Sequence, residues 1–196
     1  MREKLKTMLG KKILLASKSP RRREILGLLR VPFTVVAIEG IDESYPADMP
    51  AEEVSEYISK KKAEAYLPRI KDDDILVTAD TVVILEGKIL GKPKDEEDAV
   101  SMLKKLSGKT HKVTTGVTIA TKGKQESFTA ESRVKFAPLT EEEIRYYVKN
   151  FRPLDKAGAY GIQEWIGAVA VEEIDGSFYN VMGLPVNKLY QEIKKF

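Results

Sequence analysis

The stretch ILLASKSPRRREIL, residues 13–26, governs the reading of this chain. Ile13-Leu14-Leu15-Ala16 is a short buried-strand run that stops at Ser17. Ser19 is a good N-cap and Pro20 suits the first helical position, so a helix is expected over 20–30. Ile25, Leu26, Leu28 and Leu29 would form its apolar face. A strand–loop–helix junction presents free backbone N–H groups and the positive end of the helix dipole, which together favour an anion. Arg21, Arg22 and Arg23 follow at once, where positive charge is unwelcome unless an anion is bound. Guanidinium matches phosphate oxygens bidentately, so Ser17, Arg21 and Arg22 read as phosphate ligands. The other reading is a basic triplet that merely solvates a helix face; this stretch alone leaves both open.

Outward from it, Pro32–Val36 reads as a second strand, leading into the acidic loop Ile41-Asp42-Glu43. A helix is expected over Pro50–Tyr66, with Val54, Tyr57, Ile58 and Ala65 near helical spacing. Ile75–Ala79 is a continuous apolar strand ending at Asp80-Thr81, and Val82–Leu90 a hairpin turning at Glu86-Gly87-Lys88. Asp95 opens a helix with Ala99, Met102, Leu103 and Leu106 inward and Gly108 as its C-cap. His111–Ala120 and Phe128–Phe136 read as long paired strands around Lys122-Gly123-Lys124. Thr140 with Glu143 forms a capping box for a helix over Glu141–Lys149. Ala168–Ile174 is expected to be a strand, and a last helix starts near Pro185. The mixture indicates an α/β domain with a mixed sheet.

Length and composition bound the rest. A chain of 196 residues reads as a single domain over 1–196, with 1–11 as an N-terminal extension. A net charge of +3 does not favour a dedicated duplex-DNA binder, so any anion site is local. There is no cysteine, which excludes disulfides, thiolate nucleophiles and zinc ribbons, and His111 is the only histidine. MREKLKTMLGKK lacks the apolar core of a signal peptide, and no run approaches the roughly 18 apolar residues of a membrane helix. A cytoplasmic protein without a membrane partner is expected.

Several other residues carry chemistry. Asp80, directly after an apolar strand, is placed as a metal ligand or general base, and Glu43 is a second carboxylate for metal; magnesium usually takes one or two carboxylates plus phosphate oxygens. The alternative is an aspartate capping a turn. Lys62 and Lys92 could neutralise a polyphosphate, Lys92 being fixed by Gly91-Lys92-Pro93. In Gly158-Ala159-Tyr160-Gly161-Ile162-Gln163 the small residues let backbone approach a ligand, and Gln163 can donate and accept at a base edge. His111 reads as a structural strand residue, because nothing nearby completes a nucleophile–base pair.

In order along the chain, these segments resemble the Maf family of nucleoside triphosphate pyrophosphatases, from about Lys12 to Ile193. The elements are Leu15-Ala16-Ser17-x-Ser19-Pro20-Arg21-Arg22, Asp42-Glu43, Lys62-Ala63, Ala79-Asp80-Thr81 and Gly91-Lys92-Pro93. His111-x-Val113-x-Thr115-Gly116-Val117 and Asp155-Lys156-Ala157-Gly158 complete the set. The resemblance implies an elongated mixed β-sheet with flanking helices, forming two lobes around a central cleft, as in the inosine-triphosphatase-like superfamily. It implies hydrolysis of a nucleoside triphosphate to the monophosphate and pyrophosphate with a divalent cation, Mg2+ or Mn2+. DKAGAYGIQ resembles the branch acting on dTTP and UTP, with CTP and modified pyrimidine nucleotides as further substrates.

In that scheme Asp80 is the general base and, with Glu43, holds the metal; whether it binds the ion directly stays open. Ser17, Arg21, Arg22, Lys62 and Lys92 bind the triphosphate, while Arg21, Thr81 and Gln163 set specificity. Arg23 lies outside the motif and reads as surface. The family further implies a homodimer and a housecleaning role linked to cell division. The rival reading is a nucleotide- or nucleic-acid-binding regulator of septum formation that performs no catalysis.

Overall fold

A computed structural model describes residues 11–196; apart from Lys11, the expected N-terminal extension falls outside the described residues. The strands are β1 (Lys12–Ala16), β2 (Phe33–Val36), β3 (Asp74–Leu85), β4 (Lys88–Leu90), β5 (Thr110–Ala120), β6 (Gln125–Phe136) and β7 (Val171–Asp175). The helices are α1 (Pro20–Gly27), α2 (Ala51–Tyr66), α3 (Glu96–Leu106), α4 (Glu141–Phe151), α5 (Trp165–Ala170), α6 (Phe178–Met182) and α7 (Val186–Ile193). Among the described residues the strands form one sheet in the order β2-β1-β3-β5-β6-β7, with β4 also on β3. Strand β1 runs parallel to both β2 and β3, whereas β3–β4 and β6–β7 are antiparallel. The sheet is therefore mixed, as expected.

Contacts divide the chain into two compact units. The first comprises the described residues up to Asp80, together with Thr115–Ala130 and Gly183–Phe196; the second comprises Thr81–Thr114 and Glu131–Met182. The divisions at Asp80, Thr115 and Ala130 fall inside β3, β5 and β6.

In the first unit, Leu14, Ala16, Ala63, Tyr66, Ile70, Leu76 and Ala120 form a core. Helix α2 lies on it through a face richer in hydroxyls than apolar periodicity indicates. Val54, Ile58 and Ala63 are buried, but so are Ser55 and Ser59, while Tyr57 is half-buried and Ala65 exposed. The serines belong there because their polar atoms are paired. Thr78 Oγ1 donates to Ser59 O at 2.7 Å, and the Ser59 and Thr118 hydroxyls are 2.8 Å apart. Small side chains also let the helix come close. A Cβ on Gly116 of β5 would lie 2.2 Å from Glu56 N.

In the second unit, α3 buries Ala99, Met102, Leu103 and Leu106, the four residues expected inward. Helix α4 carries the predicted capping box at Thr140 and Glu143 and buries Ile144, Tyr147 and Val148. His111, Phe136 and Tyr160 pack edge to face with centroids 5.0–5.4 Å apart. His111 Nε2 lies 2.7 Å from the Tyr160 hydroxyl, the structural role expected of it.

Three expectations need correction. Helix α1 ends at Gly27, so Leu28 is half exposed and Leu29 only half-buried rather than inside. Strand β3 does not stop at Ala79; it runs to Leu85, so Asp80 and Thr81 project from within a strand. Residues 168–170 are helical, not extended, and β7 begins only at Val171. Gly167 permits that helix, because a Cβ there would fall 1.7 Å from Ile162 O.

Candidate active site

The first unit gathers most of the charged residues singled out above. Ser19 caps α1 by accepting from Arg22 N at 3.4 Å, and Pro20 takes the first turn as expected. Ser17 is buried, and its Oγ accepts from Ser19 N at 3.2 Å. The first turn of α1 holds no acidic residue, so its positive end is not neutralised from within the helix. Arg21 and Arg22 are half-buried there, whereas Arg23 is exposed.

Arg22 has a structural task in addition to its charge. Its Nε donates to Gly183 O and its Nη1 to Ala79 O, each at 2.8 Å. The planar guanidinium thus pins the residue just before Asp80 and the start of the C-terminal segment. Burial lowers its pKa, the field of Asp80 opposes that shift, Arg21 adds to it and Glu43 opposes it; a guanidinium so placed remains charged at neutral pH.

Opposite charges converge beside it. Lys62 Nζ lies 2.8 Å from Asp80 Oδ1 and 3.0 Å from Glu43 Oε1. The arrangement follows from α2: consecutive lysines on the helix take consecutive carboxylates of the acidic loop. Lys61 Nζ donates to Asp42 Oδ2 at 2.8 Å and to Ser44 O at 2.9 Å. Asp42 also accepts from Ser44 N and Oγ, and with Lys61 these bonds hold its carboxyl below the usual range. The loop is tied once more where Ile38 N donates to Tyr66 Oη at 2.7 Å.

This donor set suits a hard divalent cation. Asp80 and Glu43 present two carboxylates to one ammonium, so a cation is already favoured at that point. No group of three or more His, Cys, Asp or Glu side chains able to hold a metal occurs among the described residues. An ion held by Glu43 and Asp80 would therefore complete its shell with phosphate and water oxygens, the usual arrangement for magnesium.

Thr81, Lys92 and Gln163 belong to the second unit. Thr81 is half-buried on β3; Lys92 and Gln163 are exposed. The loops bearing Lys92 and Gln163 are joined, since Gly158 N donates to Gly91 O at 3.0 Å. Gly158 has φ +67°, and a Cβ there would meet the Val83 side chain at 3.0 Å, which accounts for glycine. Ala159, fully buried, also has a positive φ, 60°, a strained value for alanine.

Sequence reasoning missed the group behind this loop. Lys156 is buried, with Nζ 2.7 Å from Asp155 Oδ1 and 3.1 Å from Glu164 Oε1. Glu164 Oε2 accepts from the Tyr147 hydroxyl, which in turn accepts from Gly161 N at 3.0 Å. Burial, followed by the bond to Glu164, raises the Tyr147 pKa. A charged pair inside a glycine-rich run, Asp155-Lys156 before Gly158, was the available signal.

Comparison with known proteins agrees along nearly the whole chain. The family described as Maf-like protein matches residues 12–196. A Bacteroides thetaiotaomicron protein named dTTP/UTP pyrophosphatase is 56% identical over 183 residues, covering 93% of this chain and 95% of its own. Proteins of the same name from Parabacteroides distasonis and Porphyromonas gingivalis are 55% and 52% identical, each covering 94% of this chain and 96% and 94% of their own. Among solved structures, the Staphylococcus aureus Ham1 protein is 15% identical with a TM-score of 0.48, over 65% of this chain and 72% of that one.

Proposed function

This chain belongs to the Maf family, and from that premise we propose that it hydrolyses dTTP and UTP to the nucleoside monophosphate and pyrophosphate. The observation that carries the proposal is the convergence of Lys62, Asp80 and Glu43 within 3.0 Å beside the arginine-bearing start of α1. A pure polyanion binder gains nothing from two carboxylates at such a place, whereas a hydrolase needs a base there.

Asp80 takes the proton of the water that attacks the α-phosphorus. Arg22 keeps that carboxylate in register by holding the Ala79 carbonyl. Ser17, Arg21, Lys62 and Lys92 bind the triphosphate and offset the charge that develops on the leaving pyrophosphate. Glu43, with Asp80 beside it, would hold a divalent cation, which would supply Lewis-acid stabilisation of phosphate oxygens. Arg21, Thr81 and Gln163 select the nucleotide, the Gln163 amide pairing with a pyrimidine edge by both donating and accepting.

The test is a hydrolysis panel. Purified protein is incubated with dTTP, UTP, CTP and GTP plus Mg2+, and released pyrophosphate is measured. Pyrophosphate from dTTP and UTP ahead of GTP is expected, with turnover lost in EDTA and restored by Mg2+ or Mn2+. No turnover of any nucleotide, even at enzyme concentrations near that of substrate, would sink the proposal and leave the non-catalytic regulator. Membership of a homodimer and a part in cell division also belong to the proposal; size-exclusion with light scattering tests the first.

A further inference from the structure

Gln163 stands in a turn whose backbone has little freedom. Glu164 N donates to Gly161 O at 3.0 Å, and Gly167 N donates to Glu164 O at 3.0 Å. Both flanking glycines are filled in by neighbours: a Cβ on Gly161 would lie 2.9 Å from Glu164 Cδ and 3.0 Å from Lys156 Cε. The turn thus has two sides. Gln163 faces out and is exposed, while Glu164, although it precedes α5, makes no capping bond to that helix. Its carboxylate turns inward instead, one oxygen on the Lys156 ammonium and the other on the Tyr147 hydroxyl. Tyr147 closes the circuit by accepting from Gly161 N, the first residue of the same turn.

We propose that Glu164 is a positioning residue for nucleotide selectivity: gripped between Lys156 and Tyr147, it fixes the turn that aims Gln163 at the base. The proposal rests on the reading above, in which Gln163 meets the base. A buried network of this kind holds one geometry because each member, if released, leaves a charge or donor unpaired. Removing the charge of Glu164 leaves the Lys156 ammonium with Asp155 alone, and removing the Tyr147 hydroxyl frees Gly161 N. Either change lets the Gln163 amide sample orientations that no longer discriminate between bases.

Binding in EDTA tests this without requiring turnover. The dissociation constants of dTTP and GTP are measured calorimetrically for the full chain and for Glu164→Gln, Tyr147→Phe and Gln163→Ala, alongside the unfolding midpoint of each. In Glu164→Gln and Tyr147→Phe the preference for dTTP over GTP is expected to fall by about tenfold, towards the ratio of Gln163→Ala. A network that serves the fold alone would lower the midpoint and leave the ratio untouched. An unchanged ratio in either folded variant overturns the proposal, as does an unmodified chain with no preference between the two nucleotides. Should Glu164→Gln fail to fold, Tyr147→Phe removes only one hydroxyl and decides alone. Failure of the functional reading shows separately, as absence of pyrophosphate release with Mg2+ whatever the binding ratio.

Discussion

Two side chains at the base of the proposed triphosphate site act in different ways and give separable predictions. In the proposed mechanism Asp80 is the proton acceptor, so Asp80→Asn should lower turnover by about 10²–10⁴-fold while calorimetry in EDTA still detects nucleotide binding. Arg22 is an anchor as well as a charge, because its Nε and Nη1 donate to backbone carbonyls. Arg22→Lys keeps the charge but lacks the planar fork. It should therefore cost stability, about 2 kcal/mol by urea unfolding, together with turnover. A variant as stable as the parent would show that the two carbonyls are satisfied without it. The basic triplet in the sequence leaves phosphate binding and a solvated face both open. It could not disclose that one guanidinium would be shared with Gly183, a residue remote in the chain.

At the scale of elements, the contact of α2 with β5 depends on a missing side chain. Gly116 is extended backbone with no conformational need for glycine; it is small because the Glu56 backbone occupies the space of a Cβ. Gly116→Ala should thus destabilise by about 3 kcal/mol, since helix backbone, unlike a flexible side chain, cannot swing aside. Thermal unfolding checks this, and a shift within error would mean that α2 can lift from the sheet. Such contacts also explain which elements the sequence discloses. Helix α3 buries the four residues expected inward, with Val100 as a fifth, because apolar periodicity decides its burial. For α2 the same rule misplaces Ala65 and overlooks Ser55 and Ser59, the latter buried against the hydroxyls of Thr78 in β3 and Thr118 in β5. The end of α5, residues 168–170, reads as strand for a related reason: Ala168-Val169-Ala170-Val171 carries no helical pattern, and the small Gly167 against Ile162 is a tertiary fact.

For the molecule as a whole, pH separates one buried group from many surface ones. Burial lowers the His111 pKa from 6.5 to about 4. Above pH 6.5 the ring is neutral in both folded and unfolded chains. Between pH 6.5 and about 4 the unfolded chain takes up a proton that the folded chain refuses, so stability falls as pH drops, by about 3 kcal/mol in all. The carboxylates with lowered pKa values, such as Asp42 and Glu141, lose their contribution only as pH falls through 3.8–4.5 and below. Urea midpoints measured from pH 7 to 4.5 should therefore decline in the parent and stay nearly level in His111→Phe; equal slopes would place the proton elsewhere. The family's fold class, the acidic loop and the ordered motifs were visible along the chain, because each is local. The pairing of Lys156 with Glu164 and the division of β3 after Asp80 were not, because they exist only between segments that the sequence separates. That separation also bears on synthesis. The bond from Arg22 to Gly183 O spans 161 residues, and the first unit is completed by Gly183–Phe196. The turn that carries Ser17, Arg21 and Arg22 therefore lacks one of its partners until Gly183 has been synthesised, long after its own strand has left the ribosome.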